Sequence, residues 1–243
     1  PATGKGQEDG RATAYVCIGQ TCSLPLIDPR YDMTKLVELT EQAFEMSEAS
    51  HLPVFMTLRI RACHMTGSFI AKDNKVPEFN LNNPVPEAAY DVTKIVLPPA
   101  SYNHEQDKFA ERLPAVQRFI REHGINEIFA GDGGRYGIIT QGGAHGMVAR
   151  SLRQLGAADG YGNSDVPMLV LNVIHPLVPE EIAEFMSDKD SVLVVEEGNP
   201  NLIETQIAQI AHNNRINCRV RGKDVLPMAG EYVTDVVRAG LAD

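Results

Sequence analysis

Positive charge is in deficit in this sequence: 22 Lys and Arg face 32 Asp and Glu, a formal net charge of −10. Nucleic-acid surfaces need clustered Lys and Arg, so the charge balance argues against that class of partner. Long apolar runs are missing too. The longest, such as Met168–Val173, are far too short to span a bilayer, and no basic start followed by an apolar stretch marks a signal peptide. Cysteine is scarce and scattered (Cys17, Cys22, Cys63, Cys218), which predicts reduced thiols in a cytoplasmic protein and gives no metal-ligand spacing. No Ser sits on a Gly-x-Ser-x-Gly elbow, and neither a P-loop nor a dinucleotide fingerprint occurs. No internal repeat is visible.

What is present is enough apolar residue, 43% of 243, for one large or two ordinary cores. The chain opens at Pro1 without a methionine, and polar, Gly-rich Pro1–Arg11 reads as loop, so a piece of a longer chain is the expectation. Thr13–Ile18 reads as a strand. Asp32 is a candidate N-cap for a helix from Met33 to about Ser50, with Leu36, Leu39, Ala43 and Met46 on one face. A strand at Pro53–Leu58 leads into a basic turn, Arg59–His64. Prolines and Asn80–Asn83 make Ser68–Ala100 a connection. An amphipathic helix is expected over Glu105–Glu122, with Phe109, Leu113, Val116 and Ile120 on its stripe.

From there the text alternates. Strands at Gly137–Thr140, Met168–Val173, Val192–Val195 and Asn217–Val220 are separated by helices at about His145–Leu155, Pro179–Met186 and Leu202–Ala211, and a helix at Glu231–Leu241 follows. Strand, helix, strand at this spacing predicts an α/β fold with a parallel sheet. The chain is divided at about residue 100, into 1–100 and 101–243.

Three places could carry chemistry. Arg59, Arg61 and His64 follow the C-terminal end of a strand, where α/β proteins gather ligands, and two guanidinium forks could hold a carboxylate; a solvated turn bonded to Asp or Glu is the competing reading. Glu196 and Glu197 end another strand in the same manner and could be caps, interface ion pairs or a general base. Gly142-Gly143-Ala144-His145-Gly146 could present N–H groups to a phosphate, or could simply allow tight strand–helix packing.

Several stretches, in order, resemble one family. They are Ala43-Phe44-Glu45-Met46-Ser47-Glu48; Pro53 and Val54 with Arg61, His64 and Gly67; Pro98-Pro99-Ala100; Arg112-Leu113 and Phe119; Gly137-Ile138-Ile139-Thr140 with Gly142 and Ala144; Pro176-Leu177-Val178-Pro179; and Val194-Val195-Glu196-Glu197 with Pro200. The run resembles the α-subunit of indolepyruvate ferredoxin oxidoreductase, of the thiamine-diphosphate 2-oxoacid:acceptor oxidoreductase family, from about Leu26 onward. The chain departs from that pattern at Thr57, where the family has Arg, and at Arg59, where it has Thr. The resemblance implies the end of a pyrimidine-binding domain, within 1–100, followed by a transketolase C-terminal-like α/β domain over 101–243. For the whole enzyme it implies thiamine diphosphate, Mg and iron–sulfur clusters, with ferredoxin and CoA as partners. For this chain it implies scaffold and subunit contacts, no cofactor of its own, substrate-side candidates Arg61 and His64, and interface candidates Glu196 and Glu197. A non-catalytic assembly module and a stand-alone nucleotide- or flavin-binding α/β protein are the alternatives.

Gly131-Asp132-Gly133 is the tempting motif. In thiamine-diphosphate enzymes a Gly-Asp-Gly and a later Asn hold Mg²⁺ on the diphosphate through hard oxygen ligands, and Asn163 follows here. Asn163 lies in a Gly-rich loop, however, and glycine and aspartate favour turns, so the triplet is read as a surface turn between two short strands, as the resemblance also implies.

Overall fold

Continuous apolar runs bury both faces of a strand, which calls for helices on either side of a parallel sheet. The computed structural model describes residues 24–73, 82, 97–161 and 163–243. Its main sheet runs in the order β3-β5-β4-β7-β8. These strands are β3 (Glu127–Phe129), β4 (Tyr136–Gln141), β5 (Met168–Leu171), β7 (Ser191–Val195) and β8 (Arg219–Arg221). The last four are mutually parallel; β3 lies antiparallel on the edge of β5.

Alternation across the pleat separates two cores. On one face Ile139, Leu169, Leu171, Val192 and Val194 meet Ile182 and Phe185 of α6 (Pro179–Met186) and Ile203 and Ile207 of α7 (Leu202–Asn213). On the other, Ile138 and Met168 meet Val148 and Leu152 of α5 (His145–Leu155) and Val237 of α8 (Thr234–Ala242). Each such fully buried aliphatic chain contributes about 1.5–3 kcal/mol.

The rest is organised around a second, smaller sheet, β2-β1-β6. Here β1 (Leu26–Ile27) pairs parallel with β2 (Phe55–Met56) and antiparallel with β6 (Val173–His175). The run Met168–Val173, expected as one strand, is therefore broken at Asn172. That residue is fully buried and bonded on all sides: its amide donates to the Ile125 carbonyl at 2.8 Å and to Glu127 at 2.9 Å, and its Oδ1 accepts from the Arg30 N–H at 2.8 Å. Its carbonyl accepts from Asp28 N–H. A polar residue inside an apolar run thus turns the chain from one sheet to the next.

Helix α1 (Met33–Ser50) begins where expected, with the Asp32 carboxylate accepting from the Lys35 N–H at 2.9 Å, and ends at His51 in the left-handed region. Its Leu39 and Met46 pack with Val116, Phe119 and Ile120 of α4 (Leu113–Glu122) and with Ile27, Val173 and Val178. The core is thus continuous across residue 100. The helix expected over Glu105–Glu122 is instead α3 (Ala100–Asp107), a π turn at Lys108–Arg112 and then α4. Pro114 explains the break, since it has no N–H and its ring crowds the carbonyl four residues back. The wider turn rotates Phe109 off the stripe, leaving it 47% exposed, while Leu113, Val116 and Ile120 are buried.

Pro53–Leu58 shrinks to the two residues of β2, and the basic turn contains a short helix, α2 (Ile60–Cys63). Thr13–Ile18, Cys17, Cys22 and most of the Ser68–Ala100 connection lie outside the described residues. Cys63 and Cys218 are free thiols. Among the described residues no helix is long and apolar enough to cross a membrane.

Candidate functional site

Three strands of the two sheets point their C-terminal ends at one place, and the residues just beyond them are polar. Asp28 follows β1, Gln141 ends β4, and Glu196-Glu197 follow β7. Arg59 precedes α2 and reaches into this junction. Its Nη2 donates to Asp28 Oδ2 at 2.8 Å and to Gln141 Oε1 at 3.1 Å, and its Nη1 lies 3.3 Å from Glu197 Oε2. The same Gln141 oxygen accepts from the Glu197 N–H at 2.9 Å, so one side chain ties the ends of β2, β4 and β7 together.

Asp28 is fully buried. Burial pushes its carboxyl pKa up, although Arg59 and the Gly143 N–H oppose the shift. Burial works against the Arg59 charge as well, yet Asp28 and Glu197 outweigh it and hold its pKa high. Tyr31, beside the same charges, is pushed up to about 12, first by burial and then by Asp28.

The glycines are here because nothing larger fits. A Cβ on Gly142 would lie 2.1 Å from the Asp28 carbonyl oxygen, and one on Gly143 would lie 2.6 Å from Asp28 Oδ1 and 2.8 Å from the Tyr31 hydroxyl. The Gly-Gly turn before α5 does face an anion, and it is the chain's own Asp28.

Arg61 binds outward from the same junction. Its Nε donates to Glu231 Oε1 at 3.0 Å, its Nη2 to the Tyr232 carbonyl at 2.7 Å and its Nη1 to the Met147 sulfur at 2.9 Å, with Glu197 Oε2 3.6 Å away. Tyr232 is itself held by its hydroxyl, which donates to the Pro227 carbonyl at 2.6 Å and accepts from Lys223 Nζ at 2.7 Å. Burial, then Glu196 and Glu197, raise that phenol to about 12.

The structure treats the expected site residues differently. Arg61 and Glu197 meet. His64 does not join them: it is exposed at the C-cap of α2, and among the described residues no hydrogen bond or ion pair links it to Arg61. Glu196 is buried, and its two oxygens accept from the Ile203 and Glu204 N–H groups at 3.0 Å each, capping the first turn of α7. Gly131-Asp132-Gly133 is a turn between β3 and β4, with φ of 58° and 79° at the glycines and an exposed Asp132 whose N–H donates to the Asp165 carbonyl. Asn163 is occupied elsewhere, donating to Asp159 Oδ2 at 2.7 Å.

Asp28, Tyr31 and Gln141 are the participants that sequence reasoning missed. The usable signal for Asp28 was an acid ending an apolar run between two prolines, Pro25 and Pro29. A second buried titratable group also escaped it. His145, stacked on Phe129 with ring centroids 5.1 Å apart, has a pKa lowered to about 4, first by burial and then by the Arg30 charge. Arg30 in turn pairs with Glu127 at 2.9 Å and 3.0 Å.

No protein-family model matches the chain. Among curated proteins it is 29% identical over 225 residues to indolepyruvate oxidoreductase subunit IorA of Methanothermobacter marburgensis, covering 90% of this chain and 34% of that protein. The subunit of the same name from Archaeoglobus fulgidus is 27% identical, with 92% of this chain and 33% of the relative covered. That of Pyrococcus horikoshii is 25% identical, with 95% and 34% covered. The chain thus spans about a third of the length of these relatives. Among solved structures, a 2-oxoglutarate:ferredoxin oxidoreductase from Magnetococcus marinus, holding 2-oxoglutarate, coenzyme A and succinyl-CoA, superposes with a TM-score of 0.53 at 14% identity, covering 90% of this chain and 41% of that one. That likeness is one of fold. Over about nine-tenths of its length, the chain is similar in sequence to indolepyruvate oxidoreductase subunit IorA, the likeness its own motifs carry.

Proposed function

We propose that this chain is part of a thiamine-diphosphate-dependent 2-oxoacid:ferredoxin oxidoreductase of the indolepyruvate type, where it serves mainly as scaffold and as contact between domains or subunits. Residues 1–100 would then be the end of a pyrimidine-binding domain and 101–243 a transketolase C-terminal-like domain. The whole enzyme would be cytoplasmic and carry thiamine diphosphate, Mg and iron–sulfur clusters, which supply decarboxylation and electron transfer to ferredoxin and CoA-linked product formation. The observation that supports a scaffold role is the junction itself. Arg59 and Arg61 are engaged by Asp28, Glu197, Glu231 and the Tyr232 carbonyl, so their first task is to join elements far apart in sequence.

Among the described residues, the Gly131-Asp132-Gly133 turn and Asn163 do not fit a thiamine-diphosphate site. Asp132 is exposed on a turn and Asn163 bonds Asp159, so this pair offers no prepared Mg–diphosphate cradle. The nucleotide- or flavin-binding alternative loses its main support, because the Gly142-Gly143 turn is filled by the Asp28 loop. Glu197 and Arg61, partly exposed, are the candidates for one wall of a substrate site. In the assembled enzyme, Arg61→Ala should lower 2-oxoacid turnover, and His64→Ala should add little. Unchanged turnover would remove the substrate-wall role. Calorimetric titration of the chain with thiamine diphosphate and Mg²⁺ should show no binding; tight binding lost in Asp132→Asn would overturn the scaffold reading.

A further inference from the structure

Charged donors normally find charge-assisted hydrogen bonds of about 2.7–2.9 Å, and a guanidinium prefers to meet a carboxylate through two parallel ones. The two Nη1 groups of Arg59 and Arg61 do not. Both converge on a single oxygen, Glu197 Oε2, at 3.3 Å and 3.6 Å. That oxygen is buried and accepts a hydrogen bond from neither. The remaining partner of Arg61 Nη1 is a thioether, Met147 Sδ, a weak acceptor. Two cationic forks therefore share one loosely held carboxylate.

We propose that Glu197 is the resident occupant of a small-carboxylate site formed by Arg59 and Arg61, and that an incoming carboxylate binds by displacing it. This deepens the substrate-wall part of the proposed function and rests on it. Three further observations support the site. The junction is open enough for exchange, with the side chains of Arg59, Arg61 and Glu197 exposed by 23%, 31% and 16%. A spare polar group stands beside it, for the Tyr31 hydroxyl is buried without a partner and feels the charges of Arg59, Arg61 and Glu197. Asp28 does not compete for the same donor, since it holds Arg59 through Nη2 and leaves Nη1 to Glu197.

Glu197 also explains why the site is selective about being filled. Counting the carboxylates of Asp28, Glu197 and Glu231 against the two guanidinium groups leaves the junction with one excess negative charge. An incoming carboxylate keeps that count unchanged only by taking the place of Glu197. The backbone N–H of Glu197 is fixed by Gln141, so only its side chain has to move.

The test is binding of two probes, pyruvate and acetate, to the full chain and to Glu197→Gln, read by calorimetry. Removing a resident competitor removes its share of the occupancy, so both probes should bind Glu197→Gln at least about tenfold more tightly than the unmodified chain. Adding Arg61→Ala to Glu197→Gln should abolish the gain. A folded Glu197→Gln variant with no gain overturns the proposal. The unmodified chain supplies an independent arm that survives misfolding of the variant. High concentrations of pyruvate should shift the guanidinium NMR signals of Arg59 and Arg61 while equal chloride does not, and unmoved signals overturn the proposal as well. If acetate gains as much as pyruvate, the displacement of Glu197 stands and the 2-oxoacid assignment loses its support. The turnover of Arg61→Ala in the assembled enzyme bears on that assignment alone.

Discussion

Residues 127–243 and residues 24–73 are built on different terms. The later region has a five-stranded sheet whose central strands are buried on both faces by its own helices. The earlier one owns two strands of two residues each and borrows its third, β6, and its covering helix, α4, from later in the chain. It also leaves Phe44, Phe55, Leu58, Ile60, Phe69 and Ile70 exposed by 42% or more. A region that buries its own apolar surface can hold its fold through transfer energy. One that does not depends on its neighbour, here through the apolar core it shares with α4, Val173 and Val178 and through a polar, glycine-lined joint at the strand ends.

The most damaging change should therefore be one that forces the joint apart without touching either core. Gly142→Ala would put a methyl group 2.1 Å from the backbone oxygen of Asp28 and 2.6 Å from the Arg30 nitrogen, where no flexible side chain can yield. A loss of about 3 kcal/mol or more is expected in urea unfolding. Gly146→Ala, four residues on in α5 with nothing within 4 Å, should be neutral or gain up to about 1 kcal/mol from helix propensity. Equal effects at the two positions would mean that the two regions do not press on each other at Gly142.

The next test removes the charge instead of the space. Arg59→Ala leaves Asp28 buried without its cation, which for a buried pair costs about 3–5 kcal/mol; partial exposure of Arg59 puts this one at the lower end. Asp28→Asn should recover part of the loss, because it removes the orphaned charge along with its partner. A double-mutant cycle that is additive would show that the pair contributes nothing to the joint.

The same contrast governs how much could be read in the sequence. In the later region His145–Leu155 and Pro179–Met186 were legible to the residue, because helix periodicity and flanking Gly or Pro signals agree with the packing. Apolar runs likewise marked β4 and β7. What failed was set by tertiary context. Nothing local announces that Val173 leaves β5 for another sheet, because the decisive bonds of Asn172 go to Asp28, Arg30, Ile125 and Glu127, the first two 144 and 142 residues away. The π turn was a missed local signal, since Pro114 sits inside the expected helix in plain view. The surroundings of His64 and Glu196 were hidden for the same reason as those of Asn172: tertiary context leaves His64 exposed at the C-cap of α2 and sets Glu196 against the first turn of α7, a capping role its sequence allowed.

His145 offers the finest probe of the joint, because its charge state depends on a residue from each region. It is held neutral by burial against Phe129 and by the charge of Arg30, which reaches over from the loop after β1 to Glu127 on β3. Its folded pKa of about 4 lies below the ordinary value of 6.5, so the unfolded chain takes up this proton first. The resulting stability is fully present above pH 6.5 and is lost as the pH falls from 6.5 through 4. Allowing for the partial exposure of the ring, the loss should be roughly 2 kcal/mol, measured as the difference in unfolding free energy between the unmodified chain and His145→Gln at the two ends of that window. Other groups titrate there too, and the difference cancels them. Arg30→Gln should then raise the His145 pKa in an NMR titration, by less than restoring its solvation would, since burial is the larger cause. If Arg30→Gln leaves that titration where it was, the loop after β1 does not sit over β3 in solution, and the polar joint between the regions is looser than its hydrogen bonds suggest.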